Sequence, residues 1–341
     1  MPAESSKAPD DLPDYLLEDD LSQECKELIA TLPAEPGWVA NRLHQYQGFW
    51  HTTRHMQGVL NCQNHFQAHD SDILLITSPK SGTTWLKALT FALLNRKTYY
   101  PNPSPEPTQT DQSHPLLTTN PHVLVPFLEL SLYLHKTKPD LSSFSSPRLL
   151  SSHLPYVSLP DSVKWSGCKI VYLCRNPKDI FVSLWHFTNN LRLEAKGSNS
   201  IEDSFDRFCR GVSLYGPFWD HMLEYHKASL ERPDKIMFLR FEELKAEPVR
   251  VLKDVAEFIG CGFSREEENG NVVSDILRLC NFENLSNLEV NKNGKLFSGE
   301  ENKTFFRRGE VGDWKNYLSS EMIQQLDIIT QEKLQKHGLK F

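Results

Sequence analysis

Four short apolar segments, rich in β-branched and aromatic residues, most strongly constrain the fold of this chain. They read ILLIT, LLSS, IVYLC and IMFL and lie at residues 73–77, 149–152, 170–174 and 236–239. Longer stretches with helical patterning separate them, which is typical of a buried parallel sheet with crossover helices. We therefore predict an α/β fold: a single domain with a mostly parallel central sheet flanked by helices.

A basic or imidazole side chain follows each of these predicted strands. Lys80 follows the first, His153 the second, Arg175 the third and Arg240 the fourth. In an open parallel sheet the carboxyl ends of the strands share one edge, and ligands bind in the crevice beside it. We therefore expect three of these strand ends to bring a lysine, a histidine and an arginine into one crevice.

The net charge of the chain is concentrated at its N-terminus. Residues 1–24 contain eight acids and one base, and the rest of the chain has 36 of each, so these residues account for the whole net charge of −7. We predict an acidic mobile tail at 1–24 and one folded domain at 25–341, with a proline-rich surface loop at 101–115 and a mobile lid or linker at 291–303. An electrically neutral domain argues against a nucleic-acid partner.

The cysteines and the hydropathy pattern indicate the compartment. The seven cysteines are scattered and form no CxxC pair, which favours reduced thiols over a disulfide framework or a zinc site. No apolar run approaches the ~20 residues needed to cross a bilayer, and the acidic first residues do not resemble a signal peptide. We expect a soluble, cytoplasmic protein without a membrane partner or a bound metal.

The segment SPKSGTTW, at residues 78–85, lies between a predicted strand and a predicted helix at 86–95. Gly82 allows a tight turn, the following amides and hydroxyls can donate to an anion, and Lys80 adds a positive charge. Trp85 offers a flat face on which a nucleobase can stack. An ordinary strand-to-helix turn with a chance lysine would also fit. The candidate anion-binding residues are Lys80, Ser81, Gly82, Thr83, Thr84 and Trp85.

This segment differs from the nucleoside triphosphatase pattern GxxxxGK[ST], because its lysine precedes the glycine. A magnesium-dependent phosphoryl transferase also needs an acidic residue at a strand end, and here the strands end in His153, Arg175 and Arg240. The sequence therefore argues against metal-dependent phosphoryl transfer, although a nucleotide-dependent kinase remains an alternative.

Two further basic clusters and two histidine pairs are candidates for binding. One cluster begins at Arg175, with Ser183 eight residues later, and the other consists of Arg307, Arg308 and Gly309 near the C-terminus. Either cluster could bind a second phosphate or be a solvated turn. His51 with His55, and His65 with His69, have helical i, i+4 spacing. A packing or surface role is favoured for both pairs, because no third metal ligand is near in sequence.

Five segments, in this order, resemble the cytosolic sulfotransferase family, which uses 3′-phosphoadenylyl sulfate. They are PKSGTTW (79–85), SSHLP (151–155), CRNPKD (174–179), YGPFW (215–219) and RRGEVGDW (307–314). The likeness covers nearly all of the chain past about residue 35. The segments QGFW (47–50), LKALTFALLNR (86–96) and NPHVLVPFLE (120–129) are similar to the plant branch. The implied fold is the P-loop-like sulfotransferase fold.

The resemblance also implies roles for residues. The loop 80–85 would bind the 5′-phosphosulfate, with Trp85 on the adenine. Phe282 would pack on the adenine edge, and Phe241 occupies a position where the family often has a tyrosine. His153 would be the catalytic base, as a neutral imidazole titrating near pH 7, and Lys80 would stabilise the leaving phosphate. The residues implied for the 3′-phosphate are Arg175, Ser183, Arg307, Arg308 and Gly309.

The acceptor implied is a small, mostly apolar molecule with one hydroxyl, because burying further unpaired polar groups is costly. Hydroxyjasmonate is the favoured acceptor, and flavonoids, brassinosteroids and desulfoglucosinolates are alternative acceptors. A catalytically inactive nucleotide-binding protein is an alternative to the enzyme itself. Residues 315–321 lack the central Thr-Val of the animal dimerisation segment, so we expect a monomer or weak dimer. The candidate acceptor-pocket residues are Phe49, Trp50, Phe127, Tyr156 and Phe187.

Overall fold

The computed structural model describes residues 13–18, 21–100 and 113–341, and these form two sheets. The strands are β1 (Ala34–Pro36), β2 (Arg42–Tyr46), β3 (Phe49–Thr52), β4 (Ile73–Thr77), β5 (Leu149–Ser152), β6 (Lys169–Cys174) and β7 (Ile236–Arg240). The first three form an antiparallel sheet, and the other four form a parallel sheet in the order β5-β4-β6-β7. The four apolar segments are the parallel strands, so the predicted α/β fold is confirmed.

Helices surround both sheets and supply most of the remaining structure. In chain order they are α1 (Gln23–Thr31), α2 (Thr53–His65), α3 (Thr83–Leu94), α4 (Arg96–Tyr99), α5 (Pro121–Leu124), α6 (Asp161–Trp165), α7 (Pro177–Leu191), α8 (Ile201–Cys209), α9 (Phe218–Glu231), α10 (Phe241–Ala246), α11 (Pro248–Phe258), α12 (Arg265–Asn269), α13 (Val272–Leu279), α14 (Phe282–Asn287), α15 (Glu289–Asn293) and α16 (Ser320–Leu334). None of the helices in the described ranges is long and apolar enough to cross a membrane.

The parallel sheet is buried on both faces. Successive residues of β4 belong to different hydrophobic cores, with Leu74 and Ile76 in one and Ile73 and Leu75 in the other. The side chains of a strand alternate between the two faces of its sheet, so a sheet covered on both sides needs an unbroken apolar run. This requirement explains why β4, β6 and β7 are mainly apolar, whereas the buried Ser151 and Ser152 of β5 are satisfied by hydrogen bonds to the Pro126 carbonyl and the Glu129 carboxylate.

The strand order creates a ligand-binding position. The chain leaves β4 toward β5 on one side of the sheet and leaves β6 toward β7 on the other. The carboxyl ends of the neighbouring strands β4 and β6 therefore flank a topological switch point, where open parallel sheets bind their ligands. The loop that contains Lys80 follows β4, and Arg175 follows β6 directly.

The antiparallel sheet was not predicted from the sequence. Its β2–β3 hairpin turns at Gln47 and Gly48, whose φ angles of 51° and 88° suit a two-residue hairpin loop. The sheet is fastened to the remainder of the chain by backbone hydrogen bonds. The Trp50 amide donates to the Gly216 carbonyl, and the Tyr215 amide donates to the Trp50 carbonyl, both at 2.8 Å.

Side-chain caps begin two of the longer helices, and the members of each i, i+4 histidine pair lie in different elements. α7 begins at Pro177 behind the cap Asn176, and α16 begins at Ser320 behind the cap Ser319. The two i, i+4 histidine pairs do not share a helix face. The first pair is split between β3 and α2, and the second between the last residue of α2 and the loop beyond it.

Parts of the predicted tail and of the segment 291–303 make side-chain contacts or are buried where the structure describes them. Residues 1–12 and 19–20 of the acidic tail, and 101–112 of the proline-rich loop, lie outside the described residues. Asp14 starts a short 3-10 turn and accepts a hydrogen bond from Nη2 of Arg54 at 2.7 Å. In the segment 291–303 both Asn291 and Asn302 are buried, so this segment is anchored near its two ends.

Candidate active site

A cavity of about 700 Å³ lies at the carboxyl edge of the parallel sheet. Its wall includes Lys80 after β4, His153 after β5 and Arg175 after β6. The predicted crevice with a lysine, a histidine and an arginine is therefore present. The switch-point position of the cavity follows from the strand order alone.

The loop between β4 and α3 is shaped by two residues at positive φ. Lys80 has a φ of 71° and Gly82 a φ of 108°, and α3 begins at Thr83. A Cβ atom on Gly82 would lie 2.7 Å from Cδ2 of Phe241, so only glycine fits between the loop and this ring. The twelve-residue helix α3 thus presents its N-terminus at the cavity, where an anion is stabilised.

The side chains of this loop divide between the cavity and the core. Lys80, Gly82, Thr83, Thr84 and Trp85 line the cavity, as predicted. Ser81 is fully buried, and its hydroxyl lies 2.7 Å from the Ser78 hydroxyl behind the loop. The hydroxyl of Ser81 therefore closes the turn from within. Ser81 was expected to contribute its backbone amide to the anion site, and that role stays a prediction.

Three cationic side chains, those of Lys80, Arg175 and Arg307, converge at one end of the cavity. The Lys80 ammonium lies 3.9 Å above the ring centre of Phe187. Burial, together with the nearby guanidinium groups of Arg307 and Arg175, lowers the pKa of Lys80 to about 7. Such a concentration of like charge favours a polyanionic ligand, because bound phosphate would relieve the repulsion.

Arg175 connects the two basic loops. Its Nη1 donates to the Lys80 carbonyl at 3.4 Å, and its Nη2 donates to the Glu310 carbonyl. The guanidinium carbon lies 4.5 Å from the ring centre of Phe241, and Asp179 lies 3.9 Å from Nη2. The position of this arginine therefore depends on both loops at once.

The C-terminal basic loop is held in place by a buried carboxylate. Asp179 of α7 accepts hydrogen bonds from the Gly312 amide at 2.8 Å and from the Trp314 amide at 3.2 Å. Arg307 pairs with Asp313, and a Cβ atom on Gly309 would lie 2.6 Å from Phe282. The predicted residues from this side that line the cavity are Ser183, Phe282, Arg307, Arg308 and Gly309.

His153 lies in the cavity wall as a neutral imidazole. Its Nδ1 is 2.6 Å from the Thr77 carbonyl, to which it can only donate, so Nε2 is the unprotonated nitrogen. Burial lowers the pKa of His153 to about 3. The neutral form agrees with the expectation, but titration near pH 7 does not, because the sequence could not show the burial. The His153 amide donates to the buried carboxylate of Glu129 at 2.7 Å.

Aromatic rings line the cavity beside this histidine. The rings of Phe127 and Tyr215 lie 4.6 Å and 5.5 Å from the His153 ring, and Phe187 is also in the wall. Three of the five aromatic candidates were wrong, because they pack away from the cavity. Phe49 packs against His221 and Tyr156 against Tyr225, while Trp50 belongs to the hydrophobic core.

Comparison with known proteins decides the family. The family described as "Sulfotransferase domain" matches residues 70–338. The chain belongs to the sulfotransferase family. It is 52% identical to cytosolic sulfotransferase 12 of Arabidopsis thaliana, with 97% of this chain and 98% of the relative covered. It is 53% identical to cytosolic sulfotransferase 5 of the same plant, with 95% and 98% covered.

Two solved structures support the same fold. A sulphotransferase from Arabidopsis thaliana is 43% identical, with a TM-score of 0.73 and coverage of 95% of this chain and 99% of that one. Mouse sulfotransferase SULT7A1, crystallised in complex with PAP, is 25% identical, with a TM-score of 0.66 and coverage of 87% and 95%. This protein is therefore a sulfotransferase of the plant cytosolic type, and the predicted resemblance is confirmed.

The cavity of this sulfotransferase offers unpaired hydrogen-bond donors that fit an anionic nucleotide. The Nε atoms of Arg175 and Arg307 and the Nε1 of Trp85 are buried without a hydrogen-bond partner. Both loops also bring glycine so close to an aromatic ring that a side chain would collide with it. The described residues contain no group of three or more His, Cys, Asp or Glu side chains that could hold a metal ion.

Sequence reasoning missed several wall residues of the sulfotransferase cavity. His122 belongs to a segment that was noted only for its similarity to the plant branch of the family. His55 belongs to a histidine pair for which a packing or surface role was favoured. Asp14 lies in the segment that was expected to be a free tail, and Tyr215 belongs to a motif that was given no role. No local pattern marks these residues, because they reach the cavity through long-range packing.

Proposed function

We propose that this sulfotransferase moves a sulfuryl group from 3′-phosphoadenylyl sulfate to a hydroxyl of a small, mostly apolar plant metabolite, with His153 as the general base. One observation carries the proposal. His153, with its free Nε2, shares a cavity wall with two basic loops and with a set of aromatic rings. When bound, the donor supplies the activated sulfuryl group.

The two basic loops would hold the donor. The amides of the β4–α3 loop, the Thr83 and Thr84 hydroxyls and Lys80 suit the 5′-phosphosulfate, and Arg175 with Ser183 and the loop 307–309 suits the 3′-phosphate. Trp85 stacks on the adenine in this proposal, with Phe282 and Phe241 beside it. The PAP in the mouse relative supports the same nucleotide class.

His153 would remove the proton of the acceptor hydroxyl as its oxygen attacks sulfur. Because Nδ1 carries the ring hydrogen and donates it to the Thr77 carbonyl, Nε2 is the unprotonated nitrogen that a general base requires. Positioned general bases of this kind are typically worth about 10²–10⁴-fold in rate. Lys80 would place positive charge where the leaving phosphate becomes more negative.

The aromatic wall favours an apolar acceptor that carries its hydroxyl toward Nε2. Phe127 and Phe187 supply apolar surface close to His153 and Lys80, respectively. Further unpaired polar groups on the acceptor would be costly to bury there. Among plant metabolites we propose a hydroxylated jasmonate, with flavonols, brassinosteroids and desulfoglucosinolates as the alternatives.

A competition assay with labelled 3′-phosphoadenylyl sulfate and the four acceptor classes at equal concentration tests the proposal. We expect label on the jasmonate first, with no loss when a magnesium chelator is present. Preferential labelling of a flavonol or a steroid would overturn the acceptor while leaving the reaction class intact. Activity only with a nucleoside triphosphate and magnesium would identify a kinase instead, and donor binding without any turnover would identify an inactive nucleotide-binding protein.

The proposal also covers the domain boundaries, the cellular compartment and the oligomeric state. The folded sulfotransferase domain spans 25–341 behind the acidic segment 1–24, the protein acts in the cytoplasm, and it is a monomer or weak dimer. The relatives named as cytosolic support the compartment. Analytical ultracentrifugation at increasing protein concentration tests the oligomeric state. We expect the monomer mass at low concentration, and twice that mass at every concentration would show a stable dimer instead.

A further inference from the structure

A fully buried lysine lies directly behind the β4–α3 loop. Lys87 is on α3, one turn after Thr84, and its side chain is 0% exposed. Its Nζ lies 3.1 Å from Nδ1 of His122 and 3.3 Å from the ring centre of Phe127. No ion pair joins it to a carboxylate within the described ranges. The buried carboxylate of Glu129 is near enough to favour the charged form of Lys87 without pairing with it directly. Burying an ammonium that has no directly paired carboxylate is costly, so a lysine at this position calls for a physical reason.

The contact continues from the lysine to the cavity. Nε2 of His122 lies 3.0 Å from the Thr84 hydroxyl oxygen, and both residues line the cavity. His122 is held in this position by Phe127, which stacks at 5.5 Å with a 16° interplanar angle, and by Phe305 at 4.4 Å. Lys87, His122 and Thr84 therefore form a chain of two hydrogen bonds that leads from the core to the loop.

The chemistry of the end groups sets the direction of this chain. When Lys87 carries its charge its ammonium can only donate, so Nδ1 of His122 then accepts and the hydrogen of the ring is on Nε2. Nε2 then donates to Thr84, which leaves the hydroxyl hydrogen of Thr84 unused by the protein. A neutral histidine with the opposite tautomer would instead use that hydrogen. Burial lowers the pKa of His122 well below its ordinary value, which keeps the ring neutral.

We infer that Lys87 and His122 are positioning residues that turn the hydroxyl hydrogen of Thr84 into the cavity, as a donor to the 5′ group of the nucleotide. The inference rests on the proposed nucleotide donor and adds two residues to it. Burial also lowers the pKa of Lys87 well below its usual value, and a bound anion nearby would favour its charged form. The ligand would thus add a second negative charge to the one that the buried carboxylate of Glu129 already offers Lys87.

A double-mutant cycle on nucleotide binding tests this inference. The probe is adenosine 3′,5′-bisphosphate, measured by calorimetry on the purified full chain. We expect Lys87→Met and Thr84→Val each to weaken its binding about tenfold, as for a hydrogen bond to a charged group. The double variant should bind within about twofold of Thr84→Val alone, because Lys87 acts through that hydroxyl. Thr84→Ser should restore binding.

Two controls separate positioning from a structural effect. Lys235 is also a buried lysine, and it donates to the Ser166 carbonyl at the opposite edge of the sheet. Lys235→Met should leave nucleotide binding unchanged. His122→Phe keeps a ring between Phe127 and Phe305 but removes both hydrogen bonds of His122. It should therefore lose as much affinity as Lys87→Met, and it replaces Lys87→Met in the experiment if Lys87→Met does not fold.

A second nucleotide locates the effect. Adenosine 3′-phosphate lacks the 5′ group, so the Lys87→Met and His122→Phe losses should disappear with it. Additive losses in the cycle, or equal losses with both nucleotides, would overturn the inference while leaving the proposed function intact. Failure of the unmodified protein to bind adenosine 3′,5′-bisphosphate would instead overturn the proposed function.

Discussion

Gly82→Ala should damage nucleotide binding far more than an ordinary glycine substitution. The new Cβ would lie 2.7 Å from Cδ2 and 3.0 Å from Cε2 of Phe241, and 3.3 Å from Cδ2 of Leu173. The backbone at residue 82 also has a φ of 108°, which L side chains adopt only with strain. The loop must therefore shift before alanine fits.

The magnitude follows from these two costs. Left-handed backbone costs about 1–2 kcal/mol for an alanine, and overpacking of this kind costs about 1–3 kcal/mol more. Gly48 is a matched control, because it has a φ of 88° but nothing within 4 Å of a Cβ. The second cost thus distinguishes the two variants. If the loop relieves it by leaving its binding conformation, Gly82→Ala should weaken binding by about 5- to 150-fold.

The assay combines a denaturant midpoint with calorimetric binding of adenosine 3′,5′-bisphosphate for both alanine variants. We expect Gly48→Ala to lose some stability and no affinity, and Gly82→Ala to lose both. Adding Phe241→Leu to Gly82→Ala should recover part of the affinity, because the shorter side chain removes the colliding ring atoms. Equal affinity in Gly82→Ala and Gly48→Ala would refute the steric argument.

Three further outcomes follow from the site. His153→Ala should lower kcat by about 10²–10⁴-fold with unchanged binding of adenosine 3′,5′-bisphosphate, and turnover like that of the unmodified protein would contradict the base assignment. Arg175→Ala should weaken that nucleotide by about 1.5–3 kcal/mol and adenosine 5′-phosphate much less; equal losses would mean that Arg175 does not contact the 3′-phosphate. The pKa of Lys80 is about 7 in the free protein and should rise when the anion binds. The affinity for the nucleotide should therefore fall as the pH increases above 7. Binding should also take up protons, which calorimetry in two buffers of different ionisation enthalpy detects. Proton uptake unchanged in Lys80→Met would show that another group is responsible.

The parallel sheet could be predicted because its physical requirement is local. A strand buried on both faces is mainly apolar, and Ile73–Thr77 shows this in its own sequence, as do most positions of the other three parallel strands. The residues after the strands then follow from topology, which is why Lys80, His153 and Arg175 were placed in one cavity. Sequence could not supply the burial that moves the pKa of His153 to about 3.

The remaining site depends on contacts between distant residues. Lys87 reads as an ordinary polar position on an apolar helix, and its partner His122 is 35 residues away. β2 and β3 mix polar and apolar residues, and Trp50 is fixed by bonds to the segment 215–216. The aromatic candidates failed for a related reason. Closeness to a motif along the chain does not decide which way a side chain points.

The cavity wall has two origins, with a consequence for how such proteins diversify. Strand ends and the helices that follow them supply Lys80, His153 and Arg175, whereas Asp14, His135 and the segment 296–300 come from parts of the chain outside the parallel sheet. Substitutions in the second group would therefore leave the strand ends in place. If the acceptor lies against that group, such substitutions would change which acceptor is chosen and keep the residues proposed for sulfuryl transfer where they are.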